Sequence, residues 1–323
     1  TDSSIALLVD ASRGDEDEPL PLYSVASDSQ GRVFAGRMGG IEEYAVVGGT
    51  LEYRRWIGVI HPDVIDGTHV AVEDVVVAGE RLYAALGVHG IAILAVTDRE
   101  ILHLGMIEAE VAVHHIALLD PDHLVTYEGR DPALMVYDVR DPQNVTRELA
   151  SRADDSGGGN SYSGGIAAEG GIVAVNVNWS DHGRDAEDLS WLWFWDLSDL
   201  EHPVELGASR AVDAVVGGGV SIWSASEPPV AFFAHWRGVA IAETEARQAT
   251  GGGTIAIIGY ATDTLVYHDH LIMAGQNDYS GRPALAILSL SRSNPLAPDF
   301  LMEVALPAHV EAKALCLVEQ PNY

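Results

Sequence analysis

The chain has 323 residues, with 48 acidic residues against 18 basic ones, and its formal net charge is −30. This balance excludes the cationic surface that non-specific nucleic-acid binding requires, and it argues against an anionic membrane surface as a partner. Apolar residues make up 47% of the chain, which excludes global disorder, and the single cysteine, Cys316, excludes a disulfide framework.

Two further properties concern the location of the protein. No apolar run reaches the roughly 18 residues that a membrane-spanning helix needs, so no membrane insertion is expected. The chain begins at Thr1 rather than at Met. We take this as an indication of trimming or of the removal of a signal segment, and we expect an extracytoplasmic protein, either periplasmic or secreted.

A short apolar strand that ends in a polar turn recurs along the chain. Its copies are, in chain order, 4-SIALLVDAS-12, 40-GIEEYAVVGG-49, 90-GIAILAVTD-98, 133-ALMVYDVRDP-142, 190-SWLWFWDLSD-199, 238-GVAIAETEA-246 and 284-ALAILSLSRS-293. These seven copies in 323 residues correspond to about 46 residues per unit.

Each copy has similar neighbours in the sequence. Two β-rich runs joined by a turn precede it, as in 71–87 and 111–129, and another short run follows it, as in 202–209. Four short strands per unit with Gly, Asp and Pro at the turns are typical of an all-β propeller. A β-sandwich is the main alternative, but it does not explain one repeated unit. We therefore predict a single β-propeller domain over 1–323 with seven four-stranded blades, and six or eight blades as alternatives.

The two ends of the chain predict how the propeller closes. The run 310–323 is similar to the first strands of a unit, and 4–12 is similar to a third strand. Joined, they would complete a seventh blade and remove two free sheet edges. Because a propeller closed in this way needs no partner, we expect a monomer.

The motifs 135-MVYDVRDPQNV-145 and 193-WFWDLSDLEHPVELG-207 resemble the LVIVD-repeat family. Proteins of that family have units of about this length, in which a Leu/Val/Ile-rich strand ends in Asp and leads into a Pro-containing turn. The resemblance covers most of the chain, but the units around 40–60 and 215–260 depart from the pattern. It implies a β-propeller that is often extracytoplasmic, and it implies no particular chemistry or catalytic residue.

The residues at the start of each blade's first strand are candidates for a site, because these strands line the central channel of a propeller. Aligned by the turn that follows, these positions hold Glu73 with Asp74, His114 with His115, Ser163 with Gly164, Thr262 with Asp263, and Glu311 with Lys313. Carboxylates and neutral imidazoles suit a divalent cation such as calcium, zinc or manganese. We assign metal ligation to Asp74, His115 and Asp263.

A metal-bound water could attack an ester, with a carboxylate or an imidazole as the base. We assign catalytic roles to His114, His115, Glu73 and Lys313, the last to stabilise developing negative charge. Two alternatives stay open. The side chains could instead bond loop backbone or line a solvated channel, and a shift of the alignment by one residue would exchange the members of each pair.

The loops between the second and third strands place an Arg or a His beside a Gly. We assign substrate binding to these cations, which are Arg37, His89, Arg130, His182, Arg184, His235, Arg237 and Arg282. In an acidic chain they would focus a local positive field, and Arg offers bidentate hydrogen bonds to an anion. In the alternative, each Arg pairs with a nearby acid such as Glu128, Asp131 or Asp185 and ties down its loop.

These assignments predict a metal-dependent hydrolase that acts on a small anionic substrate, a phosphate or sulfate ester. Two other functions stay open: a non-enzymatic extracytoplasmic propeller that binds a partner, and a propeller enzyme of the polysaccharide-lyase type. The glycine runs 155–165 and 250–254 lack the Lys-Ser/Thr of a phosphate-binding loop, and no G-x-S-x-G motif is present.

Overall fold

The computed structural model describes residues 22–59, 70–110, 112–128, 133–152, 160–180, 189–211, 218–235, 238–244, 252–255, 259–276, 282–306 and 314–318. Within these ranges the chain forms strands β1 to β24 and no helix. Accordingly, this part of the protein contains no helix that could cross a membrane.

The strands form six four-stranded antiparallel sheets, which we number as blades 1 to 6. Each blade uses four consecutive strands of the chain. The strands of blades 1 to 3 are β1 Leu22–Ser27, β2 Arg32–Arg37, β3 Gly40–Val47, β4 Thr50–Gly58, β5 Asp74–Ala78, β6 Arg81–Ala85, β7 Ile91–Val96, β8 Ile101–Ile107, β9 Ile116–Asp120, β10 His123–Glu128, β11 Ala133–Asp138 and β12 Thr146–Arg152.

Blades 4 to 6 repeat this order. Their strands are β13 Asn160–Glu169, β14 Ile172–Ser180, β15 Leu189–Asp196, β16 Val204–Ala211, β17 Val220–Trp223, β18 Val230–His235, β19 Gly238–Glu243, β20 Gly252–Ile255, β21 Tyr260–Tyr267, β22 His270–Gln276, β23 Pro283–Ser289 and β24 Asp299–Ala305. Consecutive sheets of four strands in chain order are the repeat of a β-propeller, so the predicted fold class is confirmed.

The predicted number of seven blades was wrong, and six, one of the alternatives, is correct for the described residues. Six of the seven sequence copies are third strands, namely β3, β7, β11, β15, β19 and β23. The copy at 4–12 lies outside the described residues. At the other end of the chain, 314–318 contains no strand, and the Ser27 hydroxyl donates to the carbonyl of Leu317. No described blade therefore combines the two chain ends.

Third strands such as β7 and β23 stand out in the sequence because they are covered on both faces. In β7, Ile91, Ala92, Ile93, Leu94 and Val96 are all buried. A strand buried on both faces reads as a continuous apolar run, whereas β4 at the outside of blade 1 alternates between exposed and partly buried residues. The apolar run is thus the clearest mark of these repeats, whereas β3 of blade 1 has two glutamates and is only partly buried.

The chain forms two compact units. The first takes the described residues of Thr1–Ile116, Val139–Val145 and Leu315–Tyr323, and the second takes those of Ala117–Asp138 and Thr146–Ala314. In the first unit, Phe34 of blade 1 and Leu82 of blade 2 belong to one core cluster. In the second unit, separate clusters join blades 3 and 4, blades 4 and 5, and blades 5 and 6. The core therefore lies mainly between neighbouring sheets.

Two arginines connect neighbouring blades within the first unit. Arg32 and Arg81 are the first residues of β2 and β6, the second strands of blades 1 and 2. Arg32 Nη1 donates to the carbonyl of Val96 at 2.9 Å, and Arg81 Nη1 donates to the carbonyl of Val139 at 2.7 Å. Each acceptor lies where the third strand of the next blade ends. Asp28 balances the buried charge of Arg32 at 2.6 Å.

Candidate functional site

The chain enters the first strand of blades 2 and 3 beside the preceding blade's loop between its second and third strands. Ala71 forms an antiparallel bridge with Met38 of blade 1, and Val113 forms one with Gly87 of blade 2. Glu73 lies two residues after Ala71, and His114 lies directly after Val113. Backbone pairing thus holds the segment that carries each candidate residue.

Glu73 and His114 are in direct contact across blades 2 and 3. A carboxylate oxygen of Glu73 bonds Nδ1 of His114, and the side chains are 29% and 37% exposed, respectively. The hydrogen bond with Glu73 raises the pKa of His114 above the ordinary imidazole value, although partial burial opposes the rise. His114 is therefore a cation over a wider pH range than a free imidazole, and it is still open to solvent.

Asp74 has a different environment from Glu73. Its Oδ1 accepts the N–H of Val75 at 2.8 Å, and its Oδ2 accepts the N–H of Ile116 at 3.0 Å. His115 Nδ1 lies 3.7 Å from Oδ2, which is an ion-pair distance but too long for a hydrogen bond. Asp74 thus holds together the starts of β5 and β9, as the backbone-bonding alternative predicted. The sequence pattern gave no signal for the N–H of Ile116 as its partner.

Gly87 provides the space that Glu73 occupies. Its φ of +57° lies in the left-handed region, and a Cβ at this position would lie 2.9 Å from Oε1 of Glu73. His89, a predicted substrate-binding residue, lies two positions further along the same loop and is partly buried. Val88 between them is 73% exposed. This loop therefore lies directly beside the Glu73–His114 pair.

The corresponding position in blades 5 and 6 carries a different chemistry. Asp263 accepts the N–H of Thr264 at 2.8 Å, as Asp74 accepts that of Val75. A Cβ on Gly219 of blade 5 would lie 1.6 Å from Oδ1 of Asp263, so this carboxylate packs directly on glycine backbone. Gly218 and Gly219 stand at the start of β17, where blade 3 has two histidines before β9.

The predicted metal ligands Asp74 and His115 belong to the first unit, and Asp263 belongs to the second. Among the described residues, no three His, Cys, Asp or Glu side chains form a group that could hold a metal ion. Metal ligation therefore stays a prediction. Lys313, the predicted catalytic lysine, lies outside the described residues.

Arg37, one of the predicted substrate-binding arginines, is buried in blade 1. It is 4% exposed, and its Nε contacts the carboxylate of Glu42. Tyr44 donates to the same carboxylate at 2.7 Å, and burial together with this bond raises the pKa of Tyr44 to about 12. A ligand would have to displace Glu42 to reach Arg37. Arg37 thus pairs with an acid in its own blade, as in the alternative that each Arg ties down its loop. The acid is Glu42, which the sequence pattern had not singled out.

Two other predicted substrate-binding residues have contrasting surroundings. His235 at the end of β18 is 2% exposed, with its ring centroid 5.8 Å from that of Phe233. Arg282, just before β23, is exposed. The remaining predicted substrate-binding residues, Arg130, His182, Arg184 and Arg237, lie outside the described residues. The described part of the chain thus brings together Glu73, Asp74, His114 and His115.

Three solved structures are similar to this chain over most of its length. A protein from Lactobacillus plantarum is 13% identical, with a TM-score of 0.65 over 93% of this chain and 89% of that one. A chain of the mitotic checkpoint complex is 14% identical, with a TM-score of 0.60 over 92% and 80%. The computationally designed Ika8 protein is 11% identical, with a TM-score of 0.55 over 93% and 91%.

At these identities the similarity concerns the fold alone. The six four-stranded sheets of the described residues make the chain a β-propeller protein. No family model and no curated protein matches the sequence. The resemblance to LVIVD repeats, the extracytoplasmic location and the monomeric state therefore stay predictions.

Proposed function

We propose that the starts of the first strands of blades 2 and 3 form the active site of a hydrolase for small anionic esters. The observation that carries the proposal is the contact between Glu73 and His114 at a solvent-accessible position. A carboxylate that holds an imidazole at Nδ1 orients the ring and stabilises its protonated form. This arrangement suits general acid–base catalysis by histidine, because Nε2 stays available for proton transfer.

The roles of the side chains follow from their bonds. Because Glu73 engages Nδ1 of His114, proton transfer would use Nε2. Neutral His114 would accept a proton from the attacking water as the new bond to phosphorus or sulfur forms. The same proton would then pass to the leaving alcohol oxygen as the ester bond breaks. Protonated His114 would also attract the anionic group of the product.

A divalent cation is part of the sequence-based prediction. Asp74 and His115 could supply two ligands, because their Oδ2 and Nδ1 lie 3.7 Å apart, and the ion would polarise the ester oxygen. Asp74 would have to keep or exchange its two backbone N–H bonds on binding the ion. Metal content is therefore measured in the same experiments as activity.

One observation favours the second candidate, a propeller that binds an anion without turnover. Both carboxylate oxygens of Asp74 already accept backbone N–H groups, which suits a structural brace better than a base. In this function His114 would act only as a cation. The two candidates differ in turnover and agree on the importance of His114.

The test compares His114→Gln and Glu73→Gln with His123→Gln as the matched control. His123 also pairs with carboxylates, Asp120 at 2.8 Å and Glu148 at 3.3 Å, but it is the first residue of β10, the second strand of blade 3. With p-nitrophenyl phosphate and p-nitrophenyl sulfate, we expect His114→Gln to lower kcat/KM by about 100-fold or more. Glu73→Gln should have a smaller effect, and His123→Gln should have none.

Calorimetric titration with phosphate and sulfate, with and without a chelator, separates the two candidates. Binding that His114→Gln removes, in the absence of turnover, would favour the binding propeller. Equal turnover by the wild type and His114→Gln would exclude His114 from the chemistry. If the wild type neither turns over the esters nor binds the anions, both candidates are wrong.

A further inference from the structure

The turn beside the Glu73–His114 pair carries the most exposed large apolar side chain in the described part of the chain. Val88 is 73% exposed. The other large apolar side chains that are exposed in the described ranges all lie in strands, and none of them exceeds 51%. Single exposed apolar residues are common on protein surfaces. The position of Val88 therefore decides whether its exposure has a function.

Backbone hydrogen bonds fix that position. Val88 and His89 are the two central residues of a β-turn, which is closed by the bond from the N–H of Gly90 to the carbonyl of Gly87 at 3.1 Å. The N–H of Leu86 donates to the carbonyl of Gly90 at 2.8 Å, which joins the residues that flank the turn. The turn is thus held from both of its ends.

Two glycines pack this turn against neighbouring parts of the first unit. Gly87 exchanges two backbone hydrogen bonds, of 3.1 and 3.0 Å, with Val113. Gly90 has a φ of +82°, and a Cβ there would lie 2.0 Å from the carbonyl oxygen of Ile107 at the end of β8. The turn is therefore packed on β8 and on the segment that leads to His114. A turn held in this way needs little further ordering when a ligand binds.

Val88 is close enough to His114 for one small molecule to contact both residues. Its neighbour Gly87 pairs with Val113, and Val113 directly precedes His114. Adjacent Cα atoms are about 3.8 Å apart, and paired Cα atoms of antiparallel strands are about 5 Å apart. The Cα atoms of Val88 and His114 are thus at most about 13 Å apart. Two side chains with a small ester between them can span this distance.

The carboxylates near the turn are already engaged. Glu73 bonds His114, and Asp74 accepts the N–H groups of Val75 and Ile116. A hydroxyl-rich alcohol group would have to compete with these bonds, and a second anionic group would be repelled by both carboxylates. An apolar group needs no hydrogen bond, and covering exposed apolar surface is favourable in proportion to the area removed from water.

We propose that Val88 selects esters whose alcohol part is apolar and compact, such as an aryl group. This inference rests on the proposed function, in which His114 binds the phosphate or sulfate group, and it adds that Val88 contacts the alcohol part. Val88 is a specificity-determining residue and not a catalytic one, because it does not contact the reacting atoms.

The test measures binding of two phosphonates to the full chain by calorimetric titration. Benzylphosphonate and 3,4-dihydroxybutylphosphonate are analogues of phenyl phosphate and of glycerol 1-phosphate in which a CH₂ group replaces the ester oxygen, so neither is hydrolysed. They carry the same anionic group and differ in the apolar character of the alcohol part. We expect benzylphosphonate to bind about tenfold more tightly, because only its ring covers Val88.

Three variants locate this preference. Val88→Ser should reduce the ratio of the two affinities to near one, and Val88→Ile should retain it. Val204→Ser is the matched control, since Val204 is an exposed valine on β16 with 50% exposure, and it should leave the ratio unchanged. His114→Gln should weaken both phosphonates alike, because it removes the cation that binds their common group.

The outcomes separate this inference from the proposed function. If His114→Gln weakens both phosphonates but Val88→Ser leaves their affinity ratio unchanged, the role of Val88 is overturned and the anion site at His114 stands. An equal fall of the ratio in Val204→Ser overturns the role of Val88 in the same way. If the wild type binds neither phosphonate nor inorganic phosphate, the proposed function is wrong and the inference falls with it.

Discussion

The starts of the first strands in blades 2 and 3 and in blades 5 and 6 share one local structure but differ in chemistry. In both places an aspartate, Asp74 or Asp263, accepts the N–H of the next residue at 2.8 Å. The following blade, blade 3, brings His114 and His115 beside Glu73 and Asp74, whereas the preceding blade, blade 5, brings glycine backbone against Asp263. The same aspartate–backbone bond thus occurs once beside titratable side chains and once beside glycine backbone.

The largest effect is expected where Gly219 packs against Asp263. Gly219→Ala places a Cβ 1.6 Å from Oδ1 of Asp263, so the carboxylate or the strand must move. We expect the free energy of unfolding in urea to fall by about 3 kcal/mol. Gly58→Ala is the control, since a Cβ there meets nothing within 4 Å. Combining Gly219→Ala with Asp263→Ala should recover part of the loss, and no recovery would show that the carboxylate is not the obstacle.

A smaller effect is expected at Asp74. Asp74→Ala leaves the N–H groups of Val75 and Ile116 without their acceptor, and the expected loss is about 2 kcal/mol in the free energy of unfolding. Asp98→Ala, at an exposed position, serves as the control and should change it little. If the two substitutions are equivalent, Asp74 does not brace the starts of β5 and β9.

The smallest effect concerns pH. Because Glu73 raises the pKa of His114, their interaction stabilises the fold below the pKa of the unfolded imidazole. This stability is lost as the pH rises through the raised pKa. The free energy of unfolding in urea should therefore differ more between the wild type and Glu73→Gln at about pH 5.5 than at about pH 9. The pair is partly exposed, so the difference is modest. A difference independent of pH would contradict this account.

Much of the fold could be predicted because third strands such as β7 and β23 are covered on both faces. Their apolar runs, such as 90–98 and 284–293, appear in the sequence as copies of one unit. The number of blades could not be predicted as securely, because it depended on the chain ends. A run such as 4–12 has the composition of a third strand, but composition does not specify which strand pairs with it.

The candidate site, like the fold, could be predicted from the sequence only in part. The spacing of Glu73–Asp74 and His114–His115 follows from the repeat, so their common position at the first strands was predictable. The partner of Arg37 was not, because the hairpin register decides it. Arg37 lies opposite Gly40 in the pairing of β2 with β3, and this register brings Glu42 within reach. The acid is five positions further along the chain, and sequence spacing alone does not distinguish it from Glu43.

Arg32 and Arg81 have a consequence for how the first unit opens. Each donates to a carbonyl 64 or 58 residues further along the chain, at the end of the next blade's third strand. When blade 1 separates from blade 2, the guanidinium of Arg32 keeps Asp28 but loses its charge-assisted hydrogen bond to the Val96 carbonyl, which makes the separation less favourable. Blades joined in this way should therefore open together. Amide hydrogens near these strand ends should then exchange with solvent only as slowly as the joined blades open, although they lie at the periphery of their sheets.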